Sequence, residues 1–198
     1  GGFGEALFGA ARGMDPVLYV NIGTGVGGAV IIDGNIHHGA HGNAGEFGHM
    51  VIDPAGPPCT CDKRGCVESF CSGDALGRDA NALLEAGTVF GGIHRDGIRG
   101  SEVGALAKQG DAEALRLVEA SADRMGCALA FSANLLDPAV IVLGGGVPEM
   151  GDTYLNPVRQ AFLRYAMEIP AARTEIRGAK FGHDAGVVGA AAVALREL

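Results

Sequence analysis

The sequence predicts an α/β fold, and three observations carry that expectation. Two runs, Val17 to Ile22 and Ala139 to Leu143, are continuously apolar, as strands buried on both faces are. Leu115, Val118, Ala122, Met125 and Leu129 recur at alternating spacings of three and four, one buried stripe of a long helix. Glycine clusters follow both apolar runs, at Gly23 to Gly28 and Gly144 to Gly146, so strands alternate with helices across glycine-turned sheet edges.

The elements follow in order. Glu5 to Arg12 reads as a short helix with Leu7, Phe8 and Ala11 on one side and Gly13 as its stop. Asp15-Pro16 is a turn into the first strand, Val17 to Ile22. After Gly23-Thr24-Gly25-Val26-Gly27-Gly28, a second strand covers Ala29 to Ile32, and Asp33-Gly34 before Asn35-Ile36-His37 signals a type I′ hairpin. From His38 to Glu68 there is little periodicity but much Gly, Pro, His and Cys. About thirty residues without regular structure are unusual in a compact domain unless they bind something. Helices then dominate, the longest starting at Asp111. Ala139 to Leu143 is the next strand. Asn156 is placed to cap, and Pro157 to open, a helix with Val158, Phe162 and Tyr165 inward. Thr174 to Arg177 reads as a last strand, and Asp184 as the cap of a final helix reaching Leu198.

With 198 residues, 47% of them apolar and 19% charged, the chain fits one domain, 1–198, with a real core and no pervasive disorder. Its 34 glycines exceed the usual share without a Gly-X-Y period, which points to tight turns and close backbone approaches. The net charge of −8 argues against direct nucleic-acid contact. No apolar run is long enough to span a membrane, and Gly1-Gly2-Phe3-Gly4-Glu5 lacks the pattern of a signal peptide. Five cysteines, three of them between positions 59 and 66, suit a reducing cytoplasm and a metal better than a disulfide framework.

His49, Cys59, Cys61 and Cys66 form a Cys₃His set, a ligand combination of closed tetrahedral zinc sites. Thiolates select zinc over magnesium or calcium, and four protein ligands leave no position for a reacting water, so the expected zinc is structural. Cys59 and Cys61 stand too close along the chain to bridge each other comfortably. Cys71 and Cys127 fall on predicted helices as small core residues and stay outside the set.

Gly23-Thr24-Gly25-Val26-Gly27-Gly28 joins two strands, so it is neither a Walker loop nor a dinucleotide fingerprint, both of which open a helix. Its backbone N–H groups and the Thr24 hydroxyl can still meet a phosphate, although such a hairpin is structural at least as often. Glu46 lies three residues before His49 and Glu68 two after Cys66. A metal on His49 and Cys66 would hold both carboxylates near each other, where they could accept sugar hydroxyls. The second ring nitrogen of His49 would stay free for a sugar oxygen. Solvated surface charge is the competing reading of both glutamates.

Gly42-Asn43-Ala44-Gly45-Glu46-Phe47-Gly48-His49, with Cys59-Thr60-Cys61-Asp62-Lys63-Arg64-Gly65-Cys66-Val67-Glu68, closely resembles the signature of the ROK family (repressors, open reading frames, kinases). Gly23 to Gly28 looks like that family's second phosphate loop and Gly144 to Gly146 like its adenosine-side loop. The resemblance implies an actin-like, ribonuclease-H-like ATPase fold, C-terminal domain with a zinc-binding loop, in a glucokinase-like sugar kinase. It implies ATP phosphates on Gly23, Thr24 and Gly25, adenosine on Gly144, Gly145 and Gly146, and magnesium with the nucleotide. Hexose hydroxyls would lie on Glu46, His49 and Glu68, zinc on His49, Cys59, Cys61 and Cys66, and the assembly would be a homodimer. The long helix at 111–133 is apolar beyond one stripe, through Ala128, Ala130, Phe131 and Ala133, leaving surface for that partner.

The family's Asp-x-Gly-Gly-Thr loop and its Asn-Asp pair, whose Asp is the catalytic base, match nothing here. The resemblance therefore places them in an N-terminal domain upstream of Gly1, and these 198 residues alone are expected to be inactive. Asp62 replaces a Gly of the family pattern, so the turn there is expected to change geometry. The rival expectation is the sugar-sensing effector domain of a ROK transcriptional repressor.

Overall fold

The computed structural model describes residues 1–91 and 97–196. Five strands, β1 (Val17–Ile22), β2 (Val26–Ile32), β3 (Asn35–Ile36), β4 (Val140–Gly144) and β5 (Glu175–Gly178), form one mixed sheet in the order β3-β2-β1-β4-β5. β1 to β3 are antiparallel, while β4 and β5 run parallel to β1. The tight turn at Asp33 (φ 52°) and Gly34 (φ 66°) has the left-handed backbone that a type I′ hairpin requires.

The apolar run of β1 serves two cores at once. Leu18, Val20 and Ile22 join Ile141 and Leu143 on the larger face, whereas Val17 and Tyr19 join Val140 and Val142 on the other. Successive side chains alternate across the pleat, so a strand covered on both sides reads as a nearly unbroken apolar run, and Asn21, at the cleft end of β1, is its one polar and exposed residue.

Helices cover both faces. On the larger side lie α2 (Val67–Cys71), α3 (Gly73–Glu85), α4 (Gly100–Lys108), α5 (Ala112–Leu136) and α6 (Asp152–Tyr165); the short α7 is Glu168–Arg173. On the smaller side α1 (Gly2–Phe8) and α8 (Ala185–Arg196) pack together, contributing Phe3 and Ala192. Asp111 caps α5 as expected, its carboxylate accepting from the N–H groups of Glu113 and Ala114. Val118, Ala122, Met125 and Leu129 are fully buried, and Leu115 partly so.

Several boundaries differ from expectation. α1 starts at Gly2 and ends at Phe8, short of Arg12, because the buried Glu5 carboxylate takes the N–H of Ala10 (2.7 Å) and of Phe181 (2.9 Å). Its inward aromatic is Phe3; Phe8 is exposed. α6 begins at Asp152, not Asn156, so Pro157 lies inside it and costs one backbone bond. Burial of Tyr154 and Leu155 draws that extra turn into the helix. Tyr165 is exposed, its hydroxyl near Asp123. Asp184 ends a short 3₁₀ turn just ahead of α8, whose expected extension to Leu198 lies outside the described residues. The surplus apolar face of α5 is mostly consumed within the chain: Ala128, Ala130 and Ala133 are fully buried, while Phe131 and Leu135 stand out to solvent. No helix among the described residues is long and apolar enough to cross a membrane.

Candidate functional site

Three structures meet at the C-terminal end of β1. The glycine turn follows β1, the Gly144 to Gly146 loop follows its parallel neighbour β4, and α3 points its N-terminus at the turn. The N–H of Gly73 donates to the carbonyl of Gly23 (2.7 Å), and Val147 N–H donates to Ile22 O (3.0 Å). Both glycine loops are thus pinned by backbone bonds to the same strand end.

Between them opens a cleft of about 1140 Å³, lined by Gly23, Thr24, Gly145 and Gly146. Gly144 is buried in β4, where a side chain would run into Tyr19. Gly25 lines instead an adjoining hollow of about 380 Å³, together with Cys59, Thr60 and Glu68. The cleft adds groups with no signal in the sequence, namely Arg78, Lys108, Glu149 and His183. Lys108 donates to the Glu149 carbonyl (2.8 Å), and His183 Nε2 lies 3.3 Å from the Glu149 carboxylate. Only tertiary packing gathers these positions. For α3 a signal was available: Ser72 caps it by accepting from Ala75 N–H (3.0 Å).

The loop from His38 to Cys66 is as irregular as expected, with one 3₁₀ turn at Phe47–His49 and isolated bridges Val51–Cys66 and Pro58–Arg64. Val67 and Glu68 belong already to α2, for which Cys66 is the N-cap residue. His49, Cys59, Cys61 and Cys66 come together, with their donor atoms all within 4.8 Å of one another. His49 Nδ1 lies 3.7 Å from Cys59 Sγ, and Cys61 Sγ 3.6 Å from Cys66 Sγ. Those two separations lie close to the edges of a tetrahedron built on metal–sulfur bonds of about 2.3 Å and a metal–nitrogen bond of about 2.0–2.1 Å. Burial pushes the Cys66 thiol up to about 12, while a backbone hydrogen bond at Lys63 lowers Cys61. A cation would reverse the penalty on the buried Cys66 thiolate, so this donor set suits a metal ion. Asp62 holds φ 63°, the left-handed backbone that glycine favours and Asp tolerates. Cys71 is buried on α2 and Cys127 half-buried on α5, both apart from the cluster.

His49 presents Nε2 toward Glu46 Oε2 at 3.9 Å, beyond hydrogen-bond length, and the Glu46 side chain is 65% exposed. Glu68 is half-buried: Oε2 accepts from Val26 N–H (2.9 Å) and Oε1 from the Thr60 hydroxyl (3.2 Å). Of the three residues expected to hold sugar, His49 belongs to the cluster, while Glu46 and Glu68 border it, with Glu68 facing the glycine turn.

A family model described as the ROK family matches residues 1–197. The glucokinase of Halalkalibacterium halodurans is 40% identical over 191 residues, which cover 94% of this chain and 58% of that protein. The crystal structure of a ROK family glucokinase from Streptomyces griseus in complex with glucose and AMPPNP superposes with a TM-score of 0.87 at 37% identity. That match covers 98% of this chain and 65% of the other. A ROK family transcriptional regulator, a homolog of the E. coli MLC protein, superposes at 0.86 with 28% identity, over 96% of this chain and 48% of its own. The mixed α/β sheet is thus the actin-like ATPase fold of ROK sugar kinase structures, and the chain spans less than two thirds of these relatives.

Proposed function

The chain belongs to the ROK family, and from that premise we propose that it forms the nucleotide- and sugar-binding part of an ATP-dependent hexose kinase. One observation carries the reading: the turn at Gly23 and Thr24 and the loop at Gly145 and Gly146 line the same cleft, next to the hollow that Glu68 borders. Phosphates fit beside the exposed Thr24, whose hydroxyl can donate, while the Gly23 N–H is given to the Gly25 carbonyl (2.9 Å). Adenosine fits toward the loop of Gly144 to Gly146, on its cleft-lining residues Gly145 and Gly146. Magnesium, when bound with the nucleotide, neutralises charge on its outer phosphates. Glu46, His49 and Glu68 hold the hexose and aim one hydroxyl. Its oxygen bonds to the γ-phosphorus as the bond to the bridging oxygen breaks, ADP leaves, and the hydroxyl proton passes to a base. The resemblance gives that base to an Asp with no match in this chain.

We assign the Cys/His cluster to structural zinc, held by His49, Cys59, Cys61 and Cys66. Four ligands close the ion's shell, so zinc supplies folding energy to the loop and leaves the chemistry to others. None of the five cysteines is in a disulfide, which fits a reducing cytoplasm. We further propose a homodimer, using exposed apolar groups such as Phe131 and Leu135, which sedimentation at micromolar concentration would test.

The likeness to a ROK regulator supports a second reading, a sugar-sensing effector domain. Calorimetry with ATP and a hexose panel separates the two. The kinase reading expects both ligands to bind and turnover by these 198 residues to be negligible, since losing a base costs about two to four decades. Hexose binding without ATP binding would favour the effector domain. Sugar-dependent turnover by the chain itself would place a base within it, at Glu46 or Glu68.

A further inference from the structure

We infer that Glu68 is a positioning residue that ties the Cys/His loop to the glycine turn, so the state of the cluster is felt at the phosphate end of the cleft. The carboxylate spans the two segments directly. Oε2 accepts the N–H of Val26, the residue that opens β2 just past the turn, across 42 positions of sequence. Oε1 accepts from the hydroxyl of Thr60, which lies between the cluster residues Cys59 and Cys61, and stands 4.0 Å from Cys59 Sγ. Glu68 itself sits in the first turn of α2, two residues past Cys66, so the cluster grips the link at both ends.

Gly25 gives the independent sign. A Cβ built there would stand 2.5 Å from Glu68 Oε2, well inside contact distance. The backbone at Gly25 is not left-handed, so a Cβ there would meet only this flexible carboxylate and would push it away from Val26. The turn's glycine and the loop's glutamate are thus one device. A carboxylate offers about four lone-pair sites, and the two bonds leave room for sugar hydroxyls, so positioning and sugar contact coexist.

The nucleotide arm of the test rests on the reading of the cleft given above; the exchange arm does not. Amide exchange over the turn and the start of β2, residues 23–28, would be followed in the whole chain, with metal content measured for each variant. Glu68→Ala and Gly25→Ala should each speed exchange of the turn and weaken binding of a non-hydrolysable ATP analogue, without sugar, by about tenfold. The double variant should be no worse than either single, because both remove the same link. Glu68→Gln keeps an acceptor for Val26 and a hydrogen-bonding group for Thr60, so it should restore the turn. Thr60→Val, which leaves the cluster intact, should loosen it partly. Removing metal with a chelator should speed turn exchange in the wild type and add nothing in Glu68→Ala. Wild-type exchange in Glu68→Ala, or equal loosening of both proteins by the chelator, would overturn the link. Failure of the wild type to bind the analogue would sink the nucleotide reading, and exchange alone would still decide the link.

Discussion

The sheet and the loop from His38 to Cys66 touch along β2, yet they are held by different forces. β1 and β4 are buried almost throughout and paired on both sides by backbone ladders. In the loop, Phe47 is the one large apolar side chain buried between positions 38 and 65. The backbone there has no ladder, only one 3₁₀ turn, two isolated bridges and scattered turn bonds such as Gly65 N–H to Pro57 O (2.8 Å) and Cys59 N–H to Lys63 O (2.8 Å). Burial spread over many residues makes the first region redundant, since each contributes about 1.5–3 kcal/mol. The second converges on four donor atoms, so its stability is concentrated at one point. Substitutions should therefore fail globally and gradually in the sheet, locally and completely in the loop.

The largest effect is expected at the cluster. Elemental analysis should find about one zinc per chain, and Cys66→Ser should lose it, removing of order 10 kcal/mol of binding free energy. Amides from 42 to 66 should then exchange freely while those of β1 and β4 stay protected. Simultaneous loss of strand protection would break the comparison. Next comes the core: Leu129→Ala, at a fully buried position of α5, should cost about 2–5 kcal/mol in denaturant unfolding. Metal content should stay unchanged; a loss of zinc there would mean that the two regions unfold as one. Smaller still is Glu68→Gln, expected to weaken hexose binding by about 1.5–3 kcal/mol, one to two decades, with zinc retained. Unchanged sugar affinity would leave Glu68 its positioning role alone.

The same division decides what could be read from the sequence. Strands covered on both faces advertise themselves as unbroken apolar runs, and Asp111 as a cap, because these depend on neighbours in the chain. The cluster was legible for a comparable reason, as ligand spacing is local and thiols in a short stretch are rare. The start of α6 was not, since the burial of Tyr154 that extends the helix past Pro157 is set by packing against other elements. Nor were Arg78, Lys108, Glu149 and His183, which reach the cleft from four separate segments. The two bonds of Glu68 join residues 8 and 42 positions away, and nothing in its surroundings along the chain announces them.

Asp111 sharpens the comparison at its weak end. Its Oδ1 accepts from Glu113 N–H (3.1 Å) and Ala114 N–H (2.9 Å), while Oδ2 accepts from Gly91 N–H (2.8 Å). Asp111→Ala removes all three bonds, and a lost cap typically costs about 1 kcal/mol. Asp111→Asn keeps one acceptor for the helix N-terminus but turns an N–H₂ group toward Gly91, so it should fall between. The difference between the two variants in urea unfolding isolates the cap. Neither should melt α5, because its 25 residues are anchored by a stripe of fully buried side chains far from the first turn. Redundant burial predicts an unchanged m-value and a modest shift in midpoint. A loss above about 3 kcal/mol would exceed what a cap supplies, and would show α5 to depend on its terminus as the loop is proposed to depend on zinc.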